Sequence, residues 1–258
     1  MKLLKQYLTR NDCYRTGAVL APEGIMLHST GAPNPKLSRY VPGDDTIGRN
    51  INENHWDQTN AEHFARFGKT LDKCCHAFIG ELADGSIATV QTLPWDMRGW
   101  HAGKKAGNDR YIGIEICEDN LDDLSYLAAV YREAVELCAA LCLEFSLDPL
   151  VDIICHCEGY ELGIASNHAD VEHWFSRFGL SMADFRRAVA DQVRKTYEPD
   201  RYNTVEEIKT FLPWAADTIR RMIDAGHIAG GGKKDANGDP ADMDLSRDMI
   251  RLLVMLHR

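Results

Sequence analysis

The chain has 258 residues, 45% of them hydrophobic and 26% charged, with a formal net charge of -10 at pH 7. That length and composition suit one large domain, or a core domain with a small appendage, and exclude a disordered chain. The acidic balance, with no Lys/Arg cluster or basic helix face, excludes a nucleic-acid footprint, and no apolar run approaches the length of a membrane span.

The first ten residues, Met1 to Arg10, are too short and interrupted to hold the apolar region of a signal peptide. The eight cysteines are therefore expected as free thiols, mostly small core residues, rather than as a disulfide framework. No pair of C-x2-C motifs is present to make a zinc ribbon.

Ile25-Met-Leu-His28 is a short apolar run with a polar end, as in a buried strand that opens into a site. Gly31 to Asp45 is rich in Gly, Pro, Asn and Ser and is expected to be a loop of groove-lining length. Thr59 to Phe67 has helical spacing, and Cys75 to Gly80 with Ser86 to Thr92 flank the turn Ala83-Asp-Gly85 as a hairpin. Tyr111 to Ile116 reads as a strand, Asp122 to Glu144 as one long amphipathic helix, Val151 to His156 as a strand, and Ser181 to Tyr197 as a second helix with a Ser cap. Strands and helices that interleave in this way build one mostly buried sheet.

Residues 198–204 carry Pro, Asp and Asn and read as a linker after a main domain of residues 1–197. Beyond it, residues 205–258 form a small helical unit, with helices expected over Leu212 to Ala225 and Leu245 to Leu256 around a Gly-rich turn. So few residues leave it little core of its own, which favours packing on the main domain or a homodimer through this unit.

Three histidine-bearing segments carry the chemistry: Gly24-Ile-Met-Leu-His28-Ser-Thr30, Ile153-Ile-Cys-His156 and Asn167-His168-Ala-Asp170. Zinc hydrolysis needs three protein ligands and an open position, and neutral imidazoles with a carboxylate suit that metal. His28, His156 and Asp170 offer such a set, although each histidine alone reads more simply as structural.

Together with Trp100-His-Ala-Gly103, Ile112-Gly-Ile-Glu115 and Asp170-Val-Glu-His-Trp-Phe175, these segments occur in the order found in type 2 N-acetylmuramoyl-L-alanine amidases. The chain resembles that family of zinc enzymes, related to phage T7 lysozyme and to animal peptidoglycan recognition proteins, over about residues 20–195. The resemblance implies an α/β fold with a mixed central sheet flanked by helices, one zinc ion, and cleavage of the amide between N-acetylmuramic acid and L-alanine. By position, it implies His28, His156 and Asp170 as the metal ligands and Glu115 as the group that assists the attacking water. His168 stands where many members carry a lysine that stabilises the oxyanion.

The segment from Cys157 to Ala169 is longer than in many members, and Asp170-Val171 replaces a common Asp-Pro. Asp170 is the favoured third ligand, with His168 the alternative. Trp100 and His101 are expected to border the substrate groove, though a tryptophan beside strands also serves as core. Thr30 and Asn108 are further groove candidates that could equally be turn residues. His76 reads as structural or as a support behind the ligands, and His55, His63, His173, His227 and His257 as surface or core residues.

Residues 211–254 faintly resemble a single surface-layer-homology motif, which implies a wall-binding role for the C-terminal unit. A wall-cleaving enzyme without a signal peptide fits a phage or prophage endolysin, made in the host cytoplasm and released to the wall. The competing expectation is a module of the same fold that binds peptidoglycan without cutting it.

Overall fold

In the computed structural model, residues 1–256 are described, and the chain divides into two compact units, residues 1–193 and those from Arg194 onward. The strands of the first unit are β1 (Leu3–Lys5), β2 (Gly24–Pro33), β3 (Ala77–Glu81), β4 (Ile87–Gln91), β5 (Tyr111–Glu118) and β6 (Ile153–Cys155). Its helices are α1 (Asp12–Thr16), α2 (Asn60–Phe67), α3 (Lys105–Asn108), α4 (Leu124–Phe145), α5 (His156–Glu161), α6 (Glu172–Phe175) and α7 (Met182–Tyr197), the last running across the boundary.

The strands pair in the order β1-β4-β3-β5-β2-β6. Only β3 and β4 are antiparallel, as the Asp84-Gly85 turn requires, and every other pair is parallel. This is the mixed sheet flanked by helices that the sequence implies. Parallel strands covered on both faces read as continuous apolar runs, and β2 is buried from Gly24 to Ser29.

One face of the sheet, with Ile25, Leu27, Ile112, Ile114 and Ile116, packs on α4 and on Trp174, Phe175 and Phe185. The long helix forms because Asp123 caps it, accepting the Ser125 and Tyr126 N–H groups. Its buried residues Tyr126, Leu127, Val130, Ala134, Leu137, Cys138 and Leu141 recur at the three-to-four spacing of a single face. The opposite face of the sheet holds two smaller apolar clusters, around Met26, Tyr111 and Ile154 and around Phe78, Tyr40 and Trp56. His28 and Glu115 lie on this second face, because strand residues alternate sides.

Several expectations need correction. Cys13 of α1 and Cys74, 61 residues apart, form a disulfide with Cα atoms 6.5 Å apart, whereas Cys75, Cys117, Cys138, Cys142, Cys155 and Cys157 are free. The loop expected from Gly31 starts later, because β2 resumes pairing with β5 at Pro33 and Glu118 after a register shift. The expected linker contains a strand, β7 (Arg201–Tyr202), with Tyr202 buried because it anchors a core.

In the second unit, β7 pairs with β8 (Leu245–Ser246), so the last helix, α10 (Arg247–Leu256), starts two residues later than expected. A helix that the sequence reading lacks, α8 (Val205–Phe211), is set by the capping box of Thr204 and Glu207, and Pro213 then opens α9 (Pro213–Asp224). Tyr202, Ile208, Leu212, Ile219, Met222, Leu245 and Ile250 give this unit a core of its own, contrary to expectation, because a strand pair closes over the helices. Among the described residues no helix is long and apolar enough to cross a membrane. His257 lies outside the described residues.

Candidate metal centre

Register builds the centre. In the parallel pair β2–β5, His28 lies opposite Glu115, so both side chains emerge on the same face one strand apart. His156 opens α5 where β6 ends, and β6 is the other neighbour of β2. Asp170 comes from the loop after α5, whose return is fixed by the Cys157 N–H donating to the Asp170 carbonyl at 3.3 Å.

These elements bring three donor atoms together. His28 Nδ1 is 3.0 Å from His156 Nδ1 and 3.2 Å from Asp170 Oδ2, and His156 Nδ1 is 3.7 Å from Asp170 Oδ2. A tetrahedral ion with bonds of about 2.0–2.1 Å has ligand–ligand edges of roughly 3.3–3.4 Å. The three separations bracket that edge, and among the described residues this is the group that could hold a metal ion.

The charge states also suit a divalent cation. Burial, and then the neighbouring His28, push His156 down to about 4, so its imidazole is neutral near pH 7. Burial alone would raise the Asp170 carboxyl, but the neighbouring imidazoles, His28 first and then His156, hold it below the ordinary aspartate value. A neutral imidazole and an anionic carboxylate are the forms in which such ligands bind.

Glu115 faces the centre with its Oε2 buried and without a protein partner. Burial pushes its pKa from 4.5 up to about 7, with Asp170 adding to the rise and His28 and Lys73 opposing it. An orphaned carboxylate oxygen beside a metal-sized cluster is suited to accept a proton from water.

His168 is exposed, and its Nδ1 sits 3.2 Å from His156 Nε2 and 3.0 Å from Ser166 Oγ. It therefore touches the nitrogen of His156 that faces away from Asp170, and the cluster takes Asp170 rather than His168 as its third member. Ser166 Oγ also lies 3.1 Å from His156 Nε2. Nothing in the sequence distinguishes Ser166 from an ordinary loop serine.

Two of the groove candidates have other partners. His101 has both ring nitrogens engaged, Nδ1 with His28 Nε2 at 2.9 Å and Nε2 with the Tyr111 carbonyl at 3.0 Å, so no ring nitrogen is free for a substrate. Asn108 is fully buried, and its Oδ1 accepts the backbone N–H groups of His101 and Ala102, which makes it a turn residue instead. Thr30 accepts the Glu118 N–H at the register shift in β2 and is half-buried. Trp100 is half-buried and lines a cleft of about 360 Å³ with Cys13, Lys73 and Arg98.

Ion pairs brace the loops that carry the donors. Arg186 Nη1 reaches Glu158 and the Ile153 carbonyl at 3.0 Å, tying α7 to the strand and helix on either side of His156. His173, read from sequence as a surface or core residue, is 3.1 Å from the buried Glu118, which also accepts the Ser29 hydroxyl. His76 is buried as expected, receiving the Gly113 N–H on Nδ1 and donating from Nε2 to the Met97 carbonyl.

Comparison with known proteins gives both sequence relatives and structures of similar fold. The chain is 35% identical over 95 residues to the 1,6-anhydro-N-acetylmuramyl-L-alanine amidase AmpD of Escherichia coli, covering 30% of this chain and 50% of that protein. The counterpart from Salmonella typhimurium is 36% identical over 87 residues, covering 27% and 44%. The chain thus spans about half the length of the curated relatives it matches.

The fold is similar to that of the Staphylococcus aureus hydrolase AmiA, with a TM-score of 0.53 at 18% identity over 76% of this chain and 85% of that one. It is also similar to the PlyG catalytic domain, with a TM-score of 0.50 at 16% identity over 75% and 96%. Residues 18–172, which contain His28, Glu115, His156 and Asp170, match the N-acetylmuramoyl-L-alanine amidase family, and the chain belongs to that family.

Proposed function

We propose that the chain is a zinc-dependent amidase that hydrolyses the bond between the lactyl group of N-acetylmuramic acid and L-alanine in bacterial peptidoglycan, in the setting of a phage or prophage endolysin. The observation that carries the reading is the cluster of His28 Nδ1, His156 Nδ1 and Asp170 Oδ2 beside an unpartnered Glu115 oxygen.

Zinc, when bound, would supply Lewis acidity that lowers the pKa of water toward about 7 and polarises the scissile carbonyl. Glu115 accepts the water proton at Oε2 and delivers it to the departing L-alanine nitrogen as the C–N bond breaks. His156, with Nδ1 turned to the cluster, carries its proton on Nε2 and donates it toward Ser166 or His168. A Ser166 hydroxyl that donates to His168 Nδ1 leaves the His168 proton on Nε2, where it can meet charge developing on the carbonyl oxygen. Thr30 and Trp100 remain as contacts along the substrate groove.

The curated relatives are named for a 1,6-anhydro substrate, so soluble 1,6-anhydro muropeptide is tested beside intact wall. Zinc-loaded protein is incubated with each, and the products are read by mass spectrometry. The reading requires stem peptides with free L-alanine amino groups, intact glycan strands, and loss of both products on chelation. Binding without release would establish the non-catalytic module instead, and cleavage of glycan or cross-links would refute the reaction.

A further inference from the structure

We infer that His101 is a positioning residue for the metal centre, holding His28 in the one neutral tautomer that turns a lone pair toward His156 and Asp170, and that Gly113 is glycine to make room for it. The inference rests on the metal reading of His28, His156 and Asp170.

The proton positions follow from a fixed starting point. A backbone carbonyl can only accept, so His101 Nε2, 3.0 Å from the Tyr111 oxygen, must carry a hydrogen. A second proton on His101 would set a cation against the rings of His28 and His76, where its ring nitrogens meet an imidazole and a carbonyl rather than a carboxylate. Its Nδ1 is therefore a bare acceptor. His28 Nε2 lies 2.9 Å from that acceptor and must be the donor. A neutral histidine protonated on Nε2 has its lone pair on Nδ1. That atom is the one 3.0 Å from His156 Nδ1 and 3.2 Å from Asp170 Oδ2. The direction in which His28 offers electrons is thus set by a peptide carbonyl two hydrogen bonds away.

Space makes the same demand. A Cβ on Gly113 would sit 2.3–2.6 Å from Cγ, Cδ2 and Nδ1 of His101, distances that carbon atoms do not tolerate. The strand cannot retreat, because Gly113 exchanges two hydrogen bonds with His76: the His76 N–H donates to its carbonyl at 2.8 Å, and its own N–H donates to His76 Nδ1 at 2.9 Å. On the other side, Asn108 Oδ1 holds the His101 and Ala102 N–H groups at 2.8 and 2.9 Å. His101, Asn108 and Gly113, from the Trp100-His-Ala-Gly103 segment, the turn after it and Ile112-Gly-Ile-Glu115, therefore serve one end, the placement of a single imidazole behind His28. A purely structural His101 would need only the ring's volume, which phenylalanine supplies.

The test uses the full chain. Zinc affinity, measured by chelator competition, is compared for wild type, His101→Phe, His101→Asn and Gly113→Ala. Phenylalanine fills the space without an acceptor, whereas asparagine puts Oδ1 near the position of Nδ1. Loss of such a supporting hydrogen bond typically costs 10–100-fold in metal affinity, so His101→Phe and Gly113→Ala are expected to weaken zinc binding by about that factor, with His101→Asn recovering most of it. Nitrogen-15 spectra of the zinc-free wild type, which need no substitution to fold, are expected to show His28 and His101 both protonated on Nε2. Zinc binding by His101→Phe equal to wild type, or a His28 protonated on Nδ1, would overturn the inference. A wild-type protein that takes up no zinc would overturn the metal reading along with it.

Discussion

Replacing Glu115 by glutamine should move activity and stability in opposite directions. Glutamine keeps the shape of the side chain but cannot accept a proton, and general-base assistance is worth about 10²–10⁴-fold, so turnover should fall by that factor while zinc is retained. Stability follows from the linkage. Glu115 titrates at about 7 in the folded protein against 4.5 for an ordinary glutamate, so the folded state holds the extra proton between those values. The stabilisation is complete below 4.5 and is lost as pH rises through 7. A difference of that size corresponds to roughly 3 kcal/mol, which we reduce to about 2 kcal/mol because one edge of the residue reaches solvent. At pH 8, with a chelator present, Glu115→Gln should therefore melt about 4–8 °C above wild type, and the two proteins should converge near pH 4.5. Thermal melts across that range and product release from peptidoglycan supply the two readings. A variant that melts below wild type at pH 8, or that keeps near-normal turnover, would refute the placement of an uncompensated carboxylate at the centre.

Arg186→Met removes the fork that grips Glu158 and the Ile153 carbonyl; chemical denaturation should show a loss of about 2 kcal/mol, and chelator competition a weaker zinc site. Cys13→Ser opens a disulfide that spans 61 residues; the loop-entropy relation puts the loss at about 4 kcal/mol, and thiol counting in denaturant should rise by two when wild type is reduced. His76 is held near 4 against an ordinary 6.5 because burial penalises its cation. Its contribution is therefore present above 6.5 and lost as pH falls toward 4. In the Glu115→Gln background, which removes the opposing effect, zinc-free protein should be less stable at pH 5 than at pH 7, with His76 contributing about 2 kcal/mol of the loss and the similarly depressed His156 adding to it; equal stability would exclude a neutral, buried His76.

The strands of the sheet and the long helix were legible because their patterns are local. Ile112, Ile114 and Ile116 alternate, and Tyr126 to Leu141 repeats with helical spacing. His28, Glu115, His156 and Asp170 were legible through motif order. The role of His101 was hidden, because it depends on a carbonyl at Tyr111 and on the missing side chain of Gly113, neither of which has a signature in residue type. The Cys13–Cys74 bridge was hidden because two cysteines 61 residues apart carry no spacing rule. Helix α8 was hidden because only Val205 and Ile208 are buried in it, too few to set a period.

The three clustered donors are scattered along the chain: His28 and His156 lie 128 positions apart, and Asp170 is 142 from His28. Their donor atoms converge only once β2 is flanked by both β5 and β6, contacts of long sequence separation that form slowly. An unfolded chain therefore has no comparable site, and a cation that selects the converged state adds its binding free energy to folding. In cells short of zinc, newly made protein should linger in proteolytically sensitive forms, so metal supply would govern how much of it accumulates as well as how much of it works.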